Sequence, residues 1–189
     1  MKNFIEGYVN ALTSEECAKI ISYMNEEGRL TPGRVKEPNT GKDIVIKEYK
    51  DSLDVKMNFR EKGEINEILL NSLTKCISLY TRKHPQMNNI DYWEVDPIYN
   101  LQKYNPGQCF SSTHCENASK VTSHRILAWM FYLNTVTDGG GTYWHNYDLT
   151  INAVKGRLVI WPAYYTHFHQ GIVSKTEEKY IATGWFQYS

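Results

Sequence analysis

Three groups in the second half of the chain have side chains that could do chemistry together. His114-Cys115-Glu116 puts an imidazole and a carboxylate two residues apart. His167 and His169 follow about fifty residues later, and Lys179 stands ten residues beyond His169. On a strand, side chains two apart share a face, so His114 and Glu116 aim at one point while Cys115 turns away. One imidazole from a distant strand would complete a set of two histidines and one carboxylate. Such a set leaves coordination positions open, as non-haem Fe(II) needs when it must take further ligands. His167 and His169 share a face by the same period, so geometry alone leaves either as the third ligand. Lys179 shares a face with Ile181, Thr183 and Trp185. A lysine turned into a β interior is costly unless it meets an anion. An anionic ligand is therefore implied, with Lys179 as a point charge and Thr183 adding a hydroxyl bond.

These residues need a β scaffold, and the sequence supplies one. From about residue 98 the chain breaks into YNLQKY, QCFSSTH, RILAWMFYLN, TYWHNY, LTINAV, RLVIWP, HFHQGIV and KYIATGWFQY. Eight short runs at this spacing predict an all-β sandwich or jelly roll. Asn105-Pro106-Gly107, the Gly139-Gly140-Gly141 hairpin turn and Lys155-Gly156 punctuate them. Asn100 and Gln102 share the inward face of Tyr104 and are candidates for substrate contact. The first half is helical. Thr13 and Glu16 form a capping box, followed by Cys17, Ile20, Ile21 and Met24 at helical spacing, with Gly28 as the stop. A second helix carries Ile65, Ile68, Leu69, Leu73, Cys76, Ile77 and Tyr80 on one stripe. Between them lies a polar stretch over residues 31–60 with Pro32, Gly33, Pro38 and Gly41, and strand candidates at Ile44–Ile46 and Leu53–Phe59. It is too long for a mere connection. Together with Asn117 to His124, it is expected to form the rim over a substrate. The fold class is α+β, a cupin-like jelly roll with flanking N-terminal helices. Residues 1–189 read as one domain, about 1–97 as support and about 98–189 as the catalytic core.

Composition narrows the classes. Lys plus Arg and Asp plus Glu are both 21, so the balance lacks the basic footprint of a nucleic-acid binder. No apolar run approaches a membrane span. The opening MKNFIEGYVNALTSEE reaches acidic residues before any signal-like apolar block. Cys17, Cys76, Cys109 and Cys115 form no C-x-x-C pair, so reduced thiols and a cytoplasmic location are expected.

The order of these landmarks resembles the Fe(II)/2-oxoglutarate-dependent oxygenases, most closely the prolyl-4-hydroxylase-like branch. The resemblance covers residues 98–189 and rests on KYNPGQCFSSTHCEN, RILAWMFYLN, GGGT, KGRLVIWP, HFHQGIVSKTEEKY and ATGWF. It implies a double-stranded β-helix with His114, Glu116 and His169 on Fe(II). His169 is preferred to His167 because His169, Gly171 and Lys179 match the family's spacing. Lys179, Tyr132, Tyr104 and Thr183 would hold the 2-oxoglutarate cosubstrate, and Trp185, Asn100 and Gln102 are candidates at the substrate. Arg125 and Arg157 are the reserve cations. Dioxygen is the other reactant, and ascorbate an accessory reductant.

The implied activity is hydroxylation of an unactivated C–H bond, first of a prolyl residue in a peptide or protein, next of a free amino acid or other small molecule. Two other classes use the same ligands, a metal-binding jelly roll without oxygenase activity and a zinc hydrolase. Nucleic-acid demethylation is disfavoured by the charge balance. One departure stands out: the family's usual H-x-D is H-x-E here. The retained carboxylate argues against a halogenase, and the extra methylene moves it by roughly 1–1.5 Å unless the backbone retracts.

Overall fold

A computed structural model describes residues 3–36 and 40–189; Pro38 lies outside the described residues. The N-terminal half runs β1 (Glu6–Tyr8), α1 (Ser14–Met24), β2 (Thr31–Pro32), β3 (Val35–Lys36), β4 (Asp43–Ile44), β5 (Leu53–Asn58), α2 (Glu64–Lys83) and β6 (Trp93–Val95). The C-terminal half runs β7 (Ile98–Tyr104), β8 (Arg125–Tyr132), β9 (Thr142–Trp144), β10 (Leu149–Ile151), β11 (Arg157–Pro162), β12 (His169–Gly171) and β13 (Lys179–Tyr188).

Helix α1 begins on the expected capping box. The Glu16 amide donates to Thr13 Oγ1, and the Thr13 amide donates to Glu16 Oε2. Its apolar stripe buries Cys17, Ile20 and Met24. The helix ends at Met24, earlier than the Gly28 stop, because Asn25 caps it by returning its amide to the Ile21 and Ser22 carbonyls. Helix α2 buries Ile65, Leu69, Leu73, Cys76 and Tyr80 at helical spacing.

Both helices lie on one face of an eight-stranded antiparallel sheet ordered β1-β11-β8-β13-β7-β5-β2, with β6 pairing the end of β13. Strands from before and after residue 98 thus share one sheet. Period two divides its residues cleanly. Trp129, Phe131, Leu158, Ile160, Tyr99, Leu101, Tyr180 and Ala182 join the helices in one core. Ala128, Met130, Tyr132, Val159, Trp161, Tyr104 and Ile181 face the other way, with Trp144 of the second sheet. That second sheet is β10-β9-β12. The space between the two sheets is the jelly-roll interior.

Seven of the eight β runs contain strands; QCFSSTH does not. Phe110 bonds Gly171, and His114 pairs with His169, so four steps on one side match two on the other. Ser111, Ser112 and Thr113 bulge out and bond elsewhere, to the Glu48 carbonyl, the Tyr49 carbonyl and Gln170 respectively. His167 also lies outside a strand, in a short helical turn over Tyr165–His167.

Candidate active site

The metal candidates converge across the edge of the smaller sheet. His114 and His169 exchange both backbone hydrogen bonds, each 2.9 Å. Glu116 is anchored because its amide and that of Asn117 both donate to the Ala163 carbonyl. One ligand atom from each of His114, Glu116 and His169 lies within 4.8 Å of the others. Glu116 Oε1 is 3.5 Å from His114 Nε2 and 3.3 Å from His169 Nε2. Adjacent donors about 2.1 Å from one ion stand about 3 Å apart, so the set fits a metal.

The chemistry of the donors agrees with their spacing. His114 Nδ1 donates to the Ser112 carbonyl at 2.8 Å, and His169 Nδ1 donates to the His167 carbonyl at 2.9 Å. Each imidazole therefore has Nε2 turned toward the point it shares with the carboxylate. Three acceptors facing one point call for a cation. Burial alone would raise the Glu116 carboxyl, but hydrogen bonding and positive charge at the two imidazoles, in the place a metal would take, hold it well below the usual carboxylate range. Burial, with His114 beside it, pushes His169 down and favours its neutral form. His167 is not in the set. Its Nε2 bonds the Asn3 carbonyl at 2.7 Å, and its own carbonyl orients His169.

Neighbours fix the set from outside. The Phe110 ring stacks on His114 with centroids 3.8 Å apart, and Trp161 and Trp144 wall His169 at 5.1 and 5.9 Å. Trp185 Nε1 donates to Glu116 Oε2 at 2.7 Å. Arg125 stacks 3.4 Å from the Trp185 ring centroid, with Nη1 3.9 Å from the same oxygen. The longer side chain is thus accommodated: Oε2 is held by Trp185 and Arg125, and Oε1 is left for a metal. Arg125 is a cation of this end of the site. The sequence offered one signal for it, a charge opening an otherwise apolar strand. Arg157 donates to the Asn152 carbonyl.

At the other end Lys179 is 5 % exposed, and its ammonium has neither carboxylate nor hydrogen-bond partner among the described residues. Burial pushes it down to about 8. Its neighbour is the Tyr104 ring, whose centroid is 4.6 Å from Nζ. Gly171 leaves room there, since a Cβ would lie 3.2 Å from the Phe110 carbonyl oxygen and 3.7 Å from Lys179 Nζ. The nearby hydroxyls are all engaged. Tyr132 bonds Thr142 Oγ1 at 2.8 Å and the Ile151 carbonyl at 3.3 Å. Thr183 donates to the Trp129 carbonyl, and Tyr104 donates to Gln102. Gln102 is itself turned toward Asp54, and Asn100 is half-buried on β7 opposite Thr183 of β13.

A jelly roll with an open set of two histidines and one carboxylate at one end and a buried lysine at the other is the arrangement that a 2-oxoglutarate- and iron-dependent oxygenase would need. Residues 99–187 match the model of the 2OG-Fe(II) oxygenase superfamily. Fe(II) and 2-oxoglutarate are the cofactor and cosubstrate that this match implies. No curated relative matches by sequence. Among solved structures, the chain is similar to the viral collagen prolyl hydroxylase of Paramecium Bursaria Chlorella virus-1 in its 2OG complex. The TM-score is 0.71 at 17 % identity, covering 98 % of this chain and 97 % of that one. A Pseudomonas putida prolyl-4-hydroxylase gives 0.73 at 13 % identity, covering 100 % and 94 %. A Trichoplax adhaerens prolyl hydroxylase, solved with a hypoxia inducible factor oxygen degradation domain peptide fragment, gives 0.73 at 14 % identity, covering 98 % and 84 %. At these identities the likeness is one of fold. No helix among the described residues is long and apolar enough to cross a membrane.

Proposed function

We propose that this enzyme hydroxylates an unactivated C–H bond, with a prolyl residue of a peptide or protein as its first substrate class. His114 Nε2, Glu116 Oε1 and His169 Nε2 hold Fe(II). Lys179 pairs with the distal carboxylate of 2-oxoglutarate. The bound metal with 2-oxoglutarate and dioxygen supplies the oxidising power, as the cosubstrate is decarboxylated to succinate and one oxygen atom enters the C–H bond. The residues supply position. The carbonyls of Ser112 and His167 fix both rings so that the Nε2 atoms face the metal position, and Trp185 and Arg125 prevent Glu116 from swinging. Trp144 and Trp161 keep the His169 side dry.

The observation that carries the reading is the pairing of two unmet demands in one interior: three acceptors needing a cation, and one cation needing an anion. The prolyl assignment has weaker support, from the names of the similar structures and from the rim. Both expected rim segments lie against each other: a Cβ on Gly41 would be 3.1 Å from Val121 Cγ2. Tyr49 is exposed, and its carbonyl bonds the Ser112 amide, two residues before His114.

The test is succinate formation from 2-oxoglutarate by Fe(II)-loaded protein, with and without ascorbate, over a panel of prolyl peptides and free amino acids, with product mass. Succinate coupled to a gain of one oxygen atom on a prolyl peptide is expected. Oxygen gain on a free amino acid alone moves the substrate class, and no succinate under any condition overturns the reading.

A further inference from the structure

Behind Lys179 runs a chain of buried polar groups with no part in the reaction as read so far. Lys50 Nζ pairs with Asp54 Oδ2 at 2.5 Å, with 5 % and 11 % of the two side chains exposed. Ser52 Oγ donates to Asp54 Oδ1 at 2.8 Å. Gln102 Nε2 donates to Asp54 Oδ2 at 3.4 Å, and Tyr104 Oη donates to Gln102 Oε1 at 2.8 Å. The direction of this chain follows from its first member. An ionised carboxylate only accepts, so the amide nitrogen of Gln102 faces Asp54 and its oxygen faces Tyr104. The single proton of Tyr104 is then committed to Gln102. Burial, reinforced by the Asp54 charge, keeps that proton on, raising the phenol well above its ordinary value.

A hydroxyl in this state offers only lone pairs to the pocket, and lone pairs repel a carboxylate. Turning the proton toward a ligand would leave Gln102 Oε1 buried without a donor, which is costly. The ring of Tyr104 is better placed than its hydroxyl. Tyr104 and Lys179 are directly opposed on β7 and β13, and Lys179 Nζ lies over the ring. A desolvated ammonium over an aromatic face gains from the ring quadrupole where no anion is near.

We propose that Tyr104 serves the cosubstrate pocket through its ring, as the platform that positions Lys179, and that Asp54 and Gln102 hold its hydroxyl away from the bound carboxylate. This rests on the reading that Lys179 anchors 2-oxoglutarate. Tyr104, Gln102 and Asp54 are positioning residues that act through Lys179, and Lys50 neutralises Asp54. The Lys50–Asp54 pair thereby ties the polar stretch before β5 to the cosubstrate pocket.

The experiment is calorimetric titration of 2-oxoglutarate into anaerobic Fe(II)-loaded protein, beside Fe(II) affinity and thermal unfolding. Tyr104→Phe keeps the ring and is expected to bind within about threefold of wild type, whereas Tyr104→Leu loses about tenfold or more. Gln102→Leu frees the hydroxyl and unties the ring, and is expected to weaken 2-oxoglutarate while Fe(II) affinity holds. If Tyr104→Phe loses as much as Tyr104→Leu, the hydroxyl is the donor and the proposal falls while the function stands. It falls equally if Tyr104→Leu binds like wild type. Should Tyr104→Leu not fold, a tenfold loss in Tyr104→Phe alone overturns it, and near-wild-type binding with a weakened Gln102→Leu upholds it. Wild-type protein that does not bind 2-oxoglutarate, or Lys179→Ala that binds it undiminished, overturns the underlying reading and this proposal with it.

Discussion

The two ends of the jelly-roll interior are built on opposite plans. At the metal end every charge already has company: Glu116 is touched by two imidazoles, an indole N–H and a guanidinium. At the other end Lys179 has an aromatic face and no polar partner among the described residues. The first arrangement can persist without its ion because Trp185 and Arg125 share the carboxylate's charge. The second bears a desolvation cost until an anion arrives. Stability should therefore respond to mutation in opposite directions at the two ends.

The largest expected effect is at the metal end. His169→Ala or His114→Ala should abolish Fe(II) binding, since two ligands cannot define the open set. His167→Ala should cost stability, through the lost bond to Asn3, yet retain the metal. Metal titration checks this, and retention of iron by His169→Ala but not His167→Ala would reverse the ligand assignment.

Next is Lys179→Met. Removing one member of a buried charge pair costs on the order of 3–5 kcal/mol, or about two to four decades in 2-oxoglutarate affinity. The same substitution should raise the melting temperature of the ligand-free protein, because it removes an unpaired buried cation. A fall in both quantities would mean that Lys179 has a structural partner, and the contrast between the ends would be lost.

The contrast also has a pH signature. Lys179 is depressed from 10.5 to about 8 in the folded protein. Below pH 8 both states are protonated and the full cost of the buried charge is present. Between about 8 and 10.5 the unfolded chain binds more protons than the folded one, so the Lys179 contribution to stability rises with pH. Unfolding of wild type against Lys179→Met across that window isolates this contribution, and saturating 2-oxoglutarate should abolish it. Binding of 2-oxoglutarate should weaken as pH climbs through the same range.

A smaller effect belongs to the supports. Trp185→Phe keeps a ring for Arg125 and loses the N–H bond to Glu116, so Fe(II) affinity should fall by about tenfold, the low end for an outer support of a ligand. Competition with a chelator measures it, and an unchanged affinity would place the control of Glu116 with Arg125.

Much of this arrangement was legible in residue order. The capping box of α1, the stripe of α2 and the alternation of β7, β8, β11 and β13 follow from local periodicities, which burial then enforces. The face shared by Lys179, Ile181, Thr183 and Trp185 was legible for the same reason. What escaped depends on contacts distant in sequence. The bulge at residues 111–113 looks like plain strand because its polar side chains find partners some sixty residues away, at Glu48 and Gln170. Lys50 and Asp54 lie in a stretch that reads as polar with nothing to mark them as buried, and only the packing of β5 against β7 removes them from water. Arg125 had no periodic partner to announce it, since its neighbours, Trp185 and Glu116, come from elsewhere in the chain.

Strand β13 carries the proposed anion anchor at its first residue and the Glu116 support six residues on, about 20 Å along one rigid rail. Its register against β8 is unbroken from Ile181 to Phe186 and slips only between Phe186 and Gln187. The rail therefore acts as a length standard for the reaction chamber. Losing or gaining a single residue between Lys179 and Trp185 would turn one of them outward and misplace the other. Lineages of this enzyme should accordingly vary in length within the polar stretch before β5 and beyond Phe186, while the interval between those two side chains is inherited without change.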